Sequence, residues 1–369
     1  MRIVIDATTL LLRSAGVKTY IYGWLRALRK RANSGEVEAF PFLDNVAELD
    51  HERPLTSRTG TLLRLLLLNL LNIRHNHLLD VLLYRSDVFH SSQHVVNPPR
   101  RIALTATVFD MTCWLLPDMH TPGNVAATKR YADRVLQRAD GLIAISECSR
   151  NDAVQILNLP RERLEVIYPG VDDRYFNVTP EDVLVARGKY DLVRPYLLYV
   201  GCIEPRKNVD GILNAYHMLN PSLRKDLDLV LAGPLGWRVE KLKERLRQEA
   251  GVRYLGYVPE THLPGLLKGA EALVYPSFYE GFGLPVAEAM AARVPVITSN
   301  VSCLPEITGG GALLVDPRSV EELSEAMRQV ILSSSQRERL QAAGSLRAER
   351  YRWDHCADRS LSFFKKFER

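Results

Sequence analysis

Short runs of β-branched and other apolar residues alternate along this chain with longer amphipathic segments. Residues 2–6, 87–90, 102–109, 141–145 and 164–168 read as strands, with helical periodicity between several of them. A second series follows at 196–200, 228–232, 252–255, 272–275 and 294–298. Strands separated by helix-length segments pair in parallel, because a parallel pair needs a long crossover, so two parallel α/β sheets are the simplest account. Between the series lies YPGVDDRYFNVTPEDVLVARGKYDLVRP, residues 168–195, whose proline, glycine and charge suit an interdomain linker. The predicted division is residues 1–172 for a first domain and 173–352 for the linker and a second. No repeat of solenoid length and no low-complexity tract is present.

A chain of 369 residues exceeds the size at which one hydrophobic core usually stops growing, which agrees with two domains. Its composition, 46% hydrophobic and 25% charged, excludes disordered and fibrous classes. A net charge of +5 suits an anionic ligand or surface, or only a solvated basic face, and does not call for nucleic acid. Five scattered cysteines without a CxxC pair read as reduced thiols in a cytoplasmic protein. The opening MRIVIDATTLLLRSAG is interrupted by Asp6 and has no small-residue cleavage site, so it reads as strand and loop. TLLRLLLLNLLNI, residues 61–73, is too short to span a bilayer. The wider segment 58–85, with its leucines and Arg64, Arg74 and Arg85, reads either as an interfacial helix or as a core helix with leucines inward.

Candidate chemistry concentrates in YPSFYEGFGLPVAEAMAARVPVITSN, residues 275–300. A strand ends at Tyr275, residues 277–284 make a loop, and Pro285 stands where a first helical turn should begin, its fixed φ and missing N–H both suited to that place. A strand, a glycine loop and a helix N-terminus can bind an anion, because unpaired N–H groups and the positive end of the helix dipole share one crevice. Gly281 and Gly283 would let the backbone approach a ligand closely, although the run is not GxGxxG and a plain βα turn fits the spacing equally. Glu280, at the carboxyl edge of the sheet, could accept hydrogen bonds from ligand hydroxyls, and Glu288, a turn into the helix, could hold another diol. Alternatively Glu280 caps the helix and Glu288 is solvated near its dipole.

EGFGLPVAEAMAARVPVITSN resembles the E-x7-E signature of retaining glycosyltransferases of family four, whose GT-B fold is α/β, with two facing Rossmann-like domains and an interdomain cleft. YLLYVGCIEPRKNVDGILNAY, LVLAGPLGW, YLGYVPE and ITGGGALLVDP fall in the family's order, as do LLRSAGVKTYIYGWLRAL, GLIAISECSRNDAVQIL and LEVIYPGVD in the first half. The likeness extends over nearly the whole chain and is strongest to the mannosyltransferase B-like subgroup that builds bacterial surface polysaccharides. It implies a helix over about 353–369 that packs back on the first domain.

By resemblance, Arg206 and Lys207 neutralise the donor pyrophosphate with the amides of Phe282, Gly283 and Leu284; on structure alone they could be two exposed basic residues after a turn. Glu280 grips the sugar ring, Glu288 holds the ribose, and Asp110 joins the catalytic set. The Gly16 amide meets the distal phosphate, unless that glycine only ends a loop, and Tyr257 and Val258 flank the base. The implied reaction is metal-independent transfer with retention from a nucleotide sugar, GDP-mannose by default, to a saccharide or lipid-linked saccharide. Its setting would be cytoplasmic, with peripheral contact on the inner face of the membrane as a further option. No cofactor beyond the co-substrate is implied. Asp226-Leu227-Asp228 spells DxD, a metal motif in the other major glycosyltransferase fold, but here it precedes a strand and reads as surface charge.

TATVFDMTCW departs from the family pattern, with Phe109 where a histidine usually contacts the donor's outer hydroxyl. Two consequences are open: a 6-deoxysugar or pentose donor competes with GDP-mannose, or Phe109 turns into the core. A UDP-glucose-type donor, a nucleotide-sugar epimerase and a non-catalytic binding protein are the alternatives. His90, His94 and His120 lie nearby in sequence, where a lone histidine is more often structural.

Overall fold

The computed structural model describes residues 1–12, 16–43, 49, 53–54, 56–73 and 77–368. They form two compact units, residues 1–170 with 353–369, and residues 171–352.

In the first unit β1 (Ile3–Asp6), β2 (Val37–Phe40), β3 (Val88–Ser91), β4 (Ala103–Val108), β5 (Gly141–Ala144) and β6 (Leu164–Val166) form one parallel sheet in the order β2-β1-β3-β4-β5-β6. β1, β3, β4 and β5 are buried along their whole length, so none shows alternation of buried and exposed positions. The Asp6 carboxylate, at the end of β1, accepts the Thr8 hydroxyl at 2.6 Å and the N–H groups of Ser92 and His94 beyond β3, fastening the two strand ends where the sheet order reverses. Helix α1 (Gly16–Arg31) packs on the Trp353–Lys365 helix, and Trp24 donates to Ser360 at 2.9 Å.

α2 (Arg58–Leu71) and α3 (Leu78–Leu82) cover part of this unit. Their leucines are not all inward: Leu68, Leu71 and Leu79 are buried, but Leu62, Leu63, Leu66 and Leu70 are exposed. Arg64 donates to the carbonyls of Pro41, Phe42 and Gly60, and Arg74 lies outside the described residues. No helix among the described residues is long and apolar enough to cross a membrane.

The second unit carries β7 (Tyr196–Val200), β8 (Asp228–Ala232), β9 (Val252–Gly256), β10 (Ala272–Tyr275), β11 (Val296–Ser299) and β12 (Leu313–Val315), parallel and ordered β12-β11-β10-β7-β8-β9. The chain lays β7, β8 and β9 outward in one direction and then returns to begin β10 on the other side of β7. This is the doubly wound arrangement whose ligand crevice opens at the carboxyl ends of the two central strands, here β7 and β10.

Residues 168–195, expected as a linker, instead carry two helices of this unit, Asp173–Phe176 and Pro180–Lys189. Thr179 and Asp182 form a capping box and Pro180 opens the second helix, so the residues that suggested a loop are helix-start signals. That helix packs on Leu263–Lys268, where a Cβ at Gly265 would lie 2.2 Å from the Asp182 carbonyl oxygen. The DxD reading is also corrected in part: Asp228 is buried and ion-paired to Arg194 at 3.4 Å. No cluster of three metal-ligating side chains occurs among the described residues.

At the carboxyl edge, Gly201 N–H donates to Ala232 and Gly233 N–H to Gly256, drawing the loops after β7, β8 and β9 together. Gly233 has φ +142° and a Cβ there would stand 1.9 Å from the Gly201 oxygen. Gly233→Ala is expected to destabilise the protein by about 2–4 kcal/mol, read as a lower urea midpoint. An unchanged midpoint would show that the edge can open without cost.

Candidate active site

The loops after β7 and β10 meet in a buried cluster of charge. β7 is followed by a short 3-10 turn, Pro205–Lys207, that aims two cations at the β10 side. Lys207 Nζ lies 2.5 Å from Glu280 Oε1 and donates to the Tyr275 hydroxyl at 2.6 Å. Arg206 contacts Glu280 Oε2 at 3.0 Å, Glu204 Oε1 at 2.7 Å and the Tyr279 carbonyl at 2.5 Å. Asn208 follows in the left-handed conformation, which its short polar side chain tolerates, and donates to the carbonyls of Pro276 and Pro317. Arg206 and Lys207 are therefore not exposed cations after a turn.

Glu280 is buried, which by itself would raise its pKa, but the adjacent Arg206 and Lys207 charges outweigh burial and hold it at about 2. Its backbone N–H donates to the Ser302 hydroxyl. It does not cap the next helix, Leu284–Ala291, whose cap is Gly283 at φ +86° with no side-chain cap bond. Pro285, in the first turn, removes one of the N–H groups that a helix start leaves unpaired, so the amides of Gly283 and Leu284 carry the positive end of the dipole. Phe282 is buried edge-on against Tyr351 at 5.3 Å, fixing the loop's path.

Glu288 projects from the same helix and is also buried, contrary to the solvated alternative. Burial pushes its carboxyl well above the usual range, and Glu260 and Asp172 push the same way against Arg174. Arg174 is anchored on Asp172 at 3.0 Å, and Tyr175, fully buried, feels the Glu288 charge. The Asp173–Phe176 helix packs on the helix that carries the second acid, and Glu260, in the loop after β9, adds negative charge near it. In that loop Tyr257 is half-buried and Val258 buried, at the end of the sheet's edge strand.

Gly16, Phe109 and Asp110 belong to the first unit. Gly16 opens α1 and is exposed; Ser14 and Ala15 lie outside the described residues. Asp110 accepts the Thr112 N–H at 3.0 Å and hydroxyl at 2.6 Å. Phe109 is 8% exposed, lies edge-on to Tyr20 at 5.4 Å, and its carbonyl accepts the Ser149 hydroxyl. Of its two readings, this packing favours the core. His90 is a core residue held between the Thr105 and Thr107 hydroxyls, its pKa driven down to about 3 by burial, and His94 bonds Thr9.

Sequence reasoning missed Glu204, Asn208 and Tyr275. For Glu204 and Asn208 the one available signal was polar residues flanking Pro-Arg-Lys directly after a buried strand; Tyr275 reads only as the last residue of an apolar run.

Two Rossmann-like units with this switch-point cluster define a GT-B glycosyltransferase, and the chain belongs to that family. Residues 186–347 match the family described as Glycosyl transferases group 1, and residues 14–175 match Glycosyltransferase Family 4. The chain is 34% identical over 287 residues to O-antigen chain mannosyltransferase B of Escherichia coli, covering 76% of this chain and 75% of that protein. Sucrose-phosphate synthase from Thermosynechococcus elongatus matches in structure with a TM-score of 0.74 at 19% identity, over 99% of this chain and 98% of that one. Anabaena Alr3699/HepE in complex with UDP-glucose matches at 0.73 and 18%, over 99% of both chains. At such identities the structural likeness speaks for the fold alone.

Two outcomes are expected from the buried groups. Because the folded pKa of Glu288 is raised, the folded state keeps a proton that the unfolded chain releases above about 4.5, so stability falls as pH rises from there towards the folded value. Glu288→Gln removes this titration, and its melting temperature relative to wild type should rise between pH 5 and pH 8; a constant or falling difference would contradict the assignment. Phe109→His should cost about 1–3 kcal/mol through a poorly satisfied buried ring, with no change in relative turnover of GDP-mannose and a matched 6-deoxy donor. A changed donor ratio would place residue 109 at the sugar.

Proposed function

We propose that this glycosyltransferase transfers mannose from GDP-mannose, with retained configuration and without a metal ion, to a saccharide or lipid-linked saccharide in bacterial surface polysaccharide synthesis. The observation that carries the reading is the pairing of half-buried Arg206 and buried Lys207 with Glu280 at the switch point, beside a helix opened by Gly283. The similarity to O-antigen chain mannosyltransferase B supports the choice of sugar and pathway class.

In this reading the bond between the anomeric carbon and the diphosphate oxygen breaks as the acceptor oxygen bonds to the same face, and the acceptor's proton passes to a leaving-phosphate oxygen. Charge develops on the diphosphate. Arg206, Lys207 and the amides of Phe282, Gly283 and Leu284 stabilise it, and because they are held in place beforehand they need little reorganisation. Glu280 is bound at both oxygens by the cations, and an ionised carboxylate keeps lone pairs for a sugar hydroxyl. Glu288, favoured in its protonated form, can both donate to and accept from a ribose diol. Gly16, Asp110, Tyr257 and Val258 keep the roles that the family resemblance gives them.

A donor panel scored for binding and slow hydrolysis tests this without knowledge of the acceptor. GDP-mannose should turn over faster than UDP-glucose, with excess chelator present; a requirement for magnesium or manganese, or a preference for UDP-glucose, would contradict the reading. Glu280→Ala should lower turnover by about a hundredfold, since the reacting sugar loses its positioning. Glu288→Ala should instead weaken nucleotide binding about tenfold, the worth of roughly one good hydrogen bond. Circular dichroism checks the fold of both, and the reverse pattern would exchange the two roles.

A further inference from the structure

The hydroxyl of Tyr275 is used unlike those of five other buried tyrosines. Tyr131, Tyr196, Tyr199, Tyr216 and Tyr351 each donate to a backbone carbonyl, at distances from 2.6 to 3.0 Å. That is an ordinary way for a buried phenol to find its partner. Tyr275, 2% exposed, instead receives an N–H of Lys207 Nζ at 2.6 Å. Its ring is stacked on Tyr199, with centroids 6.0 Å apart and planes at 16°, and the Thr298 hydroxyl donates to its carbonyl at 2.7 Å. Tyr275 ends β10 and Tyr199 lies in β7, the two central strands of the crevice. The phenol is therefore a fixed point on rigid elements, whereas Lys207 hangs on a flexible four-carbon stem in the turn after β7.

An ammonium group has three N–H donors. Lys207 spends one on the Tyr275 hydroxyl and one on Glu280 Oε1, 2.5 Å away, and no group among the described residues takes the third. Glu280 alone would let the ammonium swing about a single oxygen. Two anchors leave the third N–H one direction. That direction matters because Arg206 and Lys207 are matched in number by Glu204 and Glu280, so the cluster offers an anion aimed N–H groups rather than surplus charge. Burial, and then the Glu280 charge, push the phenol well above its usual pKa. Tyr275 thus stays a neutral hydroxyl, which holds the ammonium without cancelling its charge.

We infer that Tyr275 is a positioning residue for the donor diphosphate, its hydroxyl pinning the Lys207 ammonium so that the remaining N–H meets a diphosphate oxygen. This rests on the reading of Arg206 and Lys207 as the diphosphate site and names the group that aims it.

The test is calorimetric titration of GDP and GMP into wild type, Tyr275→Phe, Lys207→Gln and the double variant, with UDP and UMP in parallel so that the tighter-binding nucleoside is scored. Tyr275→Phe keeps the ring on Tyr199 and removes only the hydroxyl. It should weaken diphosphate binding about fivefold, because the ammonium must then be ordered on binding, and leave the monophosphate within about twofold of wild type. In the Lys207→Gln background the same change should cost nothing further, since the hydroxyl acts through the ammonium. Diphosphate affinity kept or raised in Tyr275→Phe, or the same loss with and without Lys207, would overturn the inference and leave the diphosphate reading standing. So would an equal loss of mono- and diphosphate, the mark of a merely structural hydroxyl. If wild type binds mono- and diphosphate alike, the diphosphate reading itself fails and the inference falls with it.

Discussion

Two adjacent cations, Lys207 buried and Arg206 half-buried, need counter-charge, and the second unit is organised around meeting that need. Glu280 takes one oxygen to Lys207 and the other to Arg206, and Glu204 holds Arg206 from the opposite side. Holding Glu280 at about 2 corresponds to roughly 3 kcal/mol in favour of its charged form. Buried ion pairs seldom add net stability over apolar packing, so the value of this one lies in placement. It joins the loop after β7 to the loop after β10, and Asn208 extends the tie to Pro276 and to Pro317 beyond β12. The crevice of a doubly wound sheet is thereby lined with fixed charge and opens on a helix N-terminus.

The same physics explains which parts of the fold were legible in the sequence. Strands buried on both faces are mostly apolar, and β1, β4, β7, β8 and β10 stand out as such runs even with Asp6, Thr105, Thr107 and Asp228 among them. β2 and β12 escape because they are short and partly exposed, with Glu38 in VEAF and Leu314 in LLV reaching solvent. Residues 168–195 were misjudged because proline, threonine and acidic residues mark helix starts as well as loops, and only the partner helix Leu263–Lys268 decides between them.

The site divides along a similar line. Glu280, Gly283, Pro285 and Glu288 were readable because acids and glycines interrupt an otherwise apolar strand-to-helix passage. Glu204 was not, since nothing local says that an acid before Pro-Arg-Lys is buried against the arginine that follows. Phe109 could be flagged only as a departure, because the direction of its ring is set by Tyr20, distant in sequence. For α2 the composition allowed inward or outward leucines, and the outcome depended on how few of them the core of the first unit could take.

If the Arg206–Lys207–Glu280 cluster is built to hold a diphosphate, the second phosphate should account for most of the nucleotide affinity. Calorimetric titration of GDP and GMP into the wild type and the Arg206→Gln, Lys207→Gln double variant measures this directly. The account predicts that wild type binds GDP at least about tenfold more tightly than GMP, and that the double variant, shown folded by circular dichroism, binds the two alike. Equal affinities in wild type, or a preference for GDP that survives loss of both cations, would contradict it.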